Sequence, residues 1–160
     1  RQMCIRDSDK TIKIWNMETG QVKRTLTGHT GPVYSLVINQ DNELISGSGD
    51  TTIKIWNMET GEVKRTLTGH KNAISSFAIN KYNELISGSW DRTIKIWNME
   101  TGQIERTLSG HTGGVYSLVI NEDNELISAS LDETIKIWNM ETGQVKRNLT
   151  GHNSGVWSLE

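Results

Sequence analysis

The sequence predicts an all-β fold of repeated four-stranded antiparallel units, and three observations carry that reading. Gly-His pairs begin at Gly28, Gly69, Gly110 and Gly151, and Ile-Trp-Asn triplets carry Trp15, Trp56, Trp97 and Trp138, so both series step by 41 residues. Between these markers lie short β-branched and apolar runs bounded by polar turns. No stretch has the helical spacing of apolar residues that an amphipathic helix needs.

The unit that starts at Gly28 justifies each element in turn. "VYSLVIN" (33–39) is an almost continuous apolar run, which predicts a first strand covered on both faces. "QDN" turns the chain into "ELISGS" (43–48), the second strand. "DT" turns it again into the β-branched "TIKIWN" (52–57), the third. "METG" follows as a turn whose Gly61 is free to take positive φ. "EVKRTL" (62–67) alternates apolar with charged residues, as an exposed edge strand does, so the "KR" pairs at Lys23, Lys64 and Lys146 read as solvated edge charge. The units from Gly28, Gly69 and Gly110 share "NELIS", "TIKIWNMETG" and "GH" unchanged.

Composition narrows the function. The chain has 160 residues, Lys+Arg 17 against Asp+Glu 19, and no polybasic stripe, so neither nucleic acid nor an anionic membrane is the expected partner. No apolar run is long enough for a membrane-spanning helix, and no signal-peptide succession is present. A single cysteine, Cys4, makes no internal disulfide; the default expectation is an intracellular, cytoplasmic protein. No phosphate-cradling glycine motif occurs. Histidines fall one per repeat, and no cofactor and no metal are expected. "NLT" at Asn148 matches a glycosylation acceptor but has no export signal beside it.

A Gly-His pair, then an Asp, then a Trp six residues beyond it, within a four-strand repeat of this length, resembles the WD-repeat (WD40) β-propeller family. The closing Trp-Asp of that family is Trp-Asn here, at Asn16, Asn57, Asn98 and Asn139. The resemblance implies a β-propeller segment of four-stranded antiparallel blades in which each sequence repeat is offset from a blade. The expected division is a partial blade at 9–26, complete blades at 29–67, 70–108 and 111–149, and a partial blade at 152–160. Residues 1–8 break the repeat. "MCIRDS" within them is similar to a translated transposon-type sequencing adapter, so the segment is expected to be non-native and the chain a fragment of a longer array.

His29, Ser46 and Asp50 have the residue types of a hydrolytic triad. The same set recurs as His70, Ser87, Asp91 and as His111, Ser128, Asp132, and three copies 41 residues apart argue for structure, not catalysis. The resemblance implies a tetrad in each blade, closed by Trp56, Trp97 or Trp138, and no enzyme activity. His29 can donate to Asp50 and accept from Ser46, which accepts from the indole N–H of Trp56.

Trp90 has no counterpart in the other repeats, which carry Gly49 and Leu131 at its position. In the family this turn residue faces the top surface, together with the third and fifth residues after the histidine. Carried over, those are Pro32 and Tyr34, Ala73 and Ser75, Gly114 and Tyr116, and Gly155 and Trp157. Of these, Pro32, Tyr34, Gly49, Ser75, Trp90, Tyr116, Leu131 and Trp157 are the candidate partner-binding residues. Five of them are aromatic or apolar anchors of the type enriched in binding hot spots. The functional expectation is a protein- or peptide-binding platform. Its alternative is an architectural or sensor repeat region of a larger signalling ATPase. Bare blade faces at the two ends also predict self-association.

Overall fold

In a computed structural model the described residues are 2–6, for which only the backbone is considered, and 9–159. Residues 1, 7, 8 and 160, and with them part of the segment expected to be adapter-derived, lie outside. Fifteen strands form four sheets, each a meander in sequence order. The first holds β1 (Gln2–Arg6), β2 (Ile12–Asn16) and β3 (Val22–Leu26). The second holds β4 (Val33–Ile38), β5 (Leu44–Ser48), β6 (Ile53–Trp56) and β7 (Val63–Leu67). The third holds β8 (Ile74–Ile79), β9 (Leu85–Ser89), β10 (Thr93–Trp97) and β11 (Ile104–Ser109). The fourth holds β12 (Val115–Ile120), β13 (Leu126–Ser130), β14 (Ile135–Trp138) and β15 (Val145–Leu149). Every pairing is antiparallel. The first strands β4, β8 and β12 lie side by side, so the sheets radiate from a common axis as propeller blades do.

The turns explain why such short strands hold their register. At one end of the meander Asn42, Asn83 and Asn124 take positive φ between the first and second strands. Asn is among the few non-glycine residues that accept this. At the same end, Gly61 takes φ 82° to close the turn from third to fourth strand. Asn57 Oδ1 accepts the backbone N–H of Glu59 at 2.8 Å and of Thr60 at 3.1 Å. An acceptor oxygen is what this turn demands, and an amide supplies it as well as a carboxylate does, which is why Trp-Asn replaces Trp-Asp without harm. At the opposite end Thr51, Arg92 and Glu133 take positive φ between the second and third strands.

The core lies between the sheets, not within them. Successive side chains of a strand point to opposite faces, so Leu44 joins Ile12, Ile14, Leu26, Val33 and Trp56 on one side of the second sheet. Ile45 joins Ile53, Ile55, Leu67, Ile74, Leu85 and Trp97 on the other. The same layer recurs between the third and fourth sheets.

One expectation is corrected. The strand covered on both faces is the second, not the first: β5 and β9 are buried at every residue, whereas β4 ends on a half-exposed Ile38. The second strand sits between two ladder partners and between two neighbouring sheets, while the first borders the axis. Backbone pairing asks only for an extended chain, so residues 2–6 stand as a second strand despite the broken repeat. Residues 152–159 form no strand. Val156 N donates instead to Ser130 O at 3.0 Å, and Leu159 N to Ser117 Oγ at 3.2 Å.

Two of the three Lys-Arg pairs, and Arg106 after Glu105, are also not mere edge charge. Arg24 crosses to the next sheet and donates to Thr60 O at 2.9 Å. Arg65 donates to the carbonyls of Met99 and Glu100, and Arg106 to that of Met140. Each guanidinium stem lies over the turn glycine of the following sheet, where a Cβ on Gly61 would meet Arg24 Cδ at 3.0 Å. The arginines are latches between blades.

Candidate functional site

Each complete sheet carries one buried polar chain. His29 Nδ1 lies 2.8 Å from Asp50 Oδ2 and its Nε2 2.7 Å from Ser46 Oγ, which accepts from Trp56 Nε1 at 2.8 Å. The sets His70, Asp91, Ser87, Trp97 and His111, Asp132, Ser128, Trp138 repeat the geometry. The aspartate gathers further donors: Asp50 accepts from Thr30 N at 2.9 Å, Thr52 N at 2.9 Å and Thr52 Oγ1 at 2.6 Å. It thereby ties the Gly-His loop to the strand-two turn, and holds Thr51 in its positive-φ conformation.

One protonation state fits. Burial disfavours the imidazolium and lowers the pKa of His29 and His111, with the paired carboxylates opposing. Burial alone would raise Asp50, but hydrogen bonds from Thr52, Thr30 and His29 outweigh it and hold the carboxyl at about 2. Asp91 and Asp132 are likewise held well below the ordinary range, against the pull of burial, by His70 with Thr93 and by Thr134 with His111. A neutral ring that donates at Nδ1 and accepts at Nε2, beside an ionised aspartate, satisfies every member.

A catalytic reading fails on access. The connectivity is that of a Ser-His-Asp triad, yet Ser46, Ser87 and Ser128 are 0% exposed and each Oγ is engaged by an indole N–H. A nucleophile needs open space where a reacting carbon can stand. Among the described residues, no three His, Cys, Asp or Glu side chains gather as a metal site.

At the opposite rim of the sheets from the Gly61 turns, four aromatic rings form a row. Tyr34 and Trp90 have centroids 5.2 Å apart, Trp90 and Tyr116 5.6 Å, and Tyr116 and Trp157 4.4 Å. The row crosses from the second sheet past the fourth. Tyr34, Ser75 and Tyr116 each sit where the ladder shifts register by one residue, between Val33 and Ser35, Ile74 and Ser76, and Val115 and Ser117. A β-bulge of this kind turns a side chain out of the sheet. The N–H groups of Gly49, Trp90 and Leu131 donate to the carbonyls of Pro32, Ala73 and Gly114 at 2.8 to 3.0 Å, which pins the turns to the strand entries.

The chain matches the family model "WD domain, G-beta repeat" over residues 20–57, 61–98 and 102–139. It belongs to the WD40 repeat family. Each WD40 match begins just before the last strand of one sheet and ends just past the third strand of the next, so every repeat stitches two blades together covalently.

Not every expected top-face residue of these WD40 repeats is presented alike. Leu131 is 47% and Trp157 59% exposed, while Tyr34, Trp90 and Tyr116 are half-buried in the row. Ala73 is buried, and Gly114 lies under Trp90, whose Cα a Cβ there would meet at 3.1 Å. Gly49 underlies the Tyr34 ring, and Pro32 is half-buried beside it. Ser75 turns its hydroxyl inward to the carbonyls of Gly88 and Val115, so it joins two blades and is not a free contact. Trp90 therefore packs against Tyr34, Gly114 and Tyr116 as well as lining the face. The bulges and the arginine latches escaped sequence reading. Only a comparison of bonded registers reveals the first, and the second needs the neighbouring sheet.

Proposed function

We infer that this chain works as WD40 repeats generally do, mediating protein–protein interaction as a non-catalytic scaffold. We propose that this chain is such a platform and that it binds a peptide or protein through the aromatic row Tyr34, Trp90, Tyr116 and Trp157, with Leu131 beside it. The observation that carries the reading is the continuity of that row over several blades. Rigid aromatic surface gives contact area at low entropic cost and is where binding energy concentrates. Trp90 Nε1 is buried without a hydrogen-bond partner among the described residues, so the ring enters the row as apolar surface and not through its N–H.

The test is selection of peptides from a random library against the chain, followed by affinity measurement on a Tyr116→Ala, Trp157→Ala variant. Selected peptides should lose about tenfold or more in affinity, the scale of a truncated anchor. Peptides that bind the variant as well as the parent would sink the top-face reading. The near identity of the three repeats favours a second reading, an architectural or sensor array within a larger signalling ATPase. A nucleotide-binding domain in the same open reading frame is its discriminating observation.

A further inference from the structure

The two ends of the chain carry matching halves of one interface. Between successive sheets, the fourth strand of one grips the turn that precedes the fourth strand of the next. A Cβ on Gly61, Gly102 or Gly143 would meet the Cδ of Arg24, Arg65 or Arg106 at 3.0 to 3.3 Å, and the Cδ2 of Leu26, Leu67 or Leu108 at 3.2 to 3.4 Å. The methionine that opens each gripped turn, Met58, Met99 or Met140, packs against the core layer between the two sheets. Gly20 takes the same conformation, φ 68°, but nothing lies within 4 Å of a Cβ placed on it, and Met17 is 50% exposed. Arg147 and Leu149 stand exposed on β15, the gripping strand of the fourth sheet. One end thus holds a turn without a grip, and the other a grip without a turn.

The strands complement one another in the same sense. β1 pairs with β2 and borders no other strand, so the first sheet has second, third and fourth strands and no first among the described residues. "GVWSL" (155–159) repeats "GVYSL" (114–118), which opens the first strand β12. It already lies where a first strand lies: a Cβ on Gly155 would meet Leu131 Cα at 3.2 Å, as one on Gly114 would meet Trp90 Cα at 3.1 Å. The histidine link is divided too. Asp9 Oδ1 accepts from Thr11 N at 2.9 Å and Thr11 Oγ1 at 2.6 Å, as Asp50 Oδ1 does from Thr52. Asp50 Oδ2 meets His29, whereas Asp9 Oδ2 meets Lys13 Nζ at 3.2 Å. His152, the fourth Gly-His histidine, is exposed where His29, His70 and His111 are buried.

We propose that a second copy of this chain docks head to tail, with residues 155–159 of one copy entering the first sheet of the other as its missing first strand, along the open edge of β1. Arg147 and Leu149 of the first copy then grip the Gly20 turn of the second, and His152 reaches Asp9. The register position of the tetrad serine in that sheet is residue 5, an isoleucine, so the histidine link forms without the rest of the tetrad. Three four-stranded sheets and one shared sheet make four blades per copy. Two copies make eight, a number at which propellers close. A head-to-tail contact of this kind ends in a ring when its rotation closes, which here takes two copies.

Sedimentation of two variants, alone and mixed, tests the docking. Met17→Lys blocks the turn end and Leu149→Lys the grip end; both side chains are exposed in the single chain, so each variant keeps the fold. Each alone should self-associate about tenfold or more weakly than the parent, because a lysine ammonium without a partner is costly to bury. Mixed one to one they should recover a pair, since the mixture keeps one intact turn end and one intact grip end. Tyr82→Asp, which places the sister residue at an exposed position of the third sheet, should leave association as it is. Amide exchange at residues 2–6 and 156–159 should slow as the parent chain is concentrated. A parent that stays monomeric, a single end-blocked variant that pairs as the parent does, a mixture that stays monomeric, or exchange at those two segments that ignores concentration would overturn the proposal.

Discussion

Asp91 is the residue on which most depends within its sheet. It accepts from His70 Nδ1 at 2.7 Å, Lys71 N at 2.9 Å, and Thr93 N and Oγ1 at 2.9 and 2.7 Å. Asp91→Ala leaves four donors unmet in a dry site and should cost about 3 kcal/mol. Amide exchange should rise mainly over residues 70–108; protection at the parental level would show that the network is dispensable. Acid should act through the same residues. Burial depresses the folded pKa of His29 below the ordinary histidine value of 6.5, so the unfolded chain takes up the proton first. The stability that the neutral ring contributes is complete above that pH and is lost as pH falls through the lower folded value. His111 behaves alike. Asp50, at about 2 against 3.8, adds a second loss below pH 3.8 in the same direction. Melting temperature should therefore hold near neutrality, decline below pH 6.5 and fall further below pH 3.8. A melting temperature rising on acidification would contradict the neutral-histidine assignment. Trp90→Gly, which copies Gly49, removes a ring that both packs and lines the face. It should lower the affinity of a top-face peptide by roughly thirtyfold, equivalent to about 2 kcal/mol. The stability cost should be smaller, since the turn accepts glycine. Affinity and melting temperature measured on the same samples separate the two roles.

At the scale of the strand, the tightest constraint is on the small residues of the second strands. A Cβ at Gly47 would lie 2.5 Å from Ile74 Cγ2 and 2.8 Å from Phe77 Cζ, and one at Gly88 would lie 2.8 Å from Val115 Cγ1. Gly47→Ala should cost about 1–3 kcal/mol by overpacking the interface between the second and third sheets. The equivalent residue of the fourth sheet is already Ala129, and Ala129→Gly should be mild by chemical denaturation. Equal effects at the two positions would show that the interface yields where the distances say it cannot. The strands themselves were legible in the sequence, because β-branched runs and Asn or Gly turns recur with fixed spacing. His, Ser, Asp and Trp of each tetrad were legible for the same reason: three copies within one chain supply their own comparison. Burial of the second strand was not, since "LISGS" is half polar and its cover comes from other sheets. Nor was the outward turn of Tyr34 and Tyr116, because a bulge depends on how two strands share their hydrogen bonds.

Over the whole molecule, three interfaces between sheets are complete, while the first and fourth sheets each keep a face without a neighbouring sheet in the chain. Leu26, Leu67 and Leu108 are 1% exposed, yet Leu149 is 45% exposed at the same place in the fourth sheet. Arg147 is the latch of that strand and has no following turn to grip among the described residues. Trp15 repeats the point at the other end: its Nε1 has no partner among the described residues, and the register position held by Ser46 in the second sheet is occupied by residue 5, an isoleucine. Stability in such a stack is a sum of units and nearest-neighbour interfaces. The 160-residue chain should therefore associate with itself in a concentration-dependent way through these faces, read by sedimentation. A monomer at all concentrations with one cooperative transition would show that the faces are self-sufficient. The aromatic row has an optical consequence. Rings 4.4 to 5.6 Å apart and held at fixed tilts couple their π–π* transitions, so excitation is shared along the row. The three tetrad indoles lie in separate blades and absorb independently. The chain should thus show an exciton couplet in circular dichroism that belongs to one face alone, an intrinsic signal that dims whenever a ligand or a substitution moves one ring out of line.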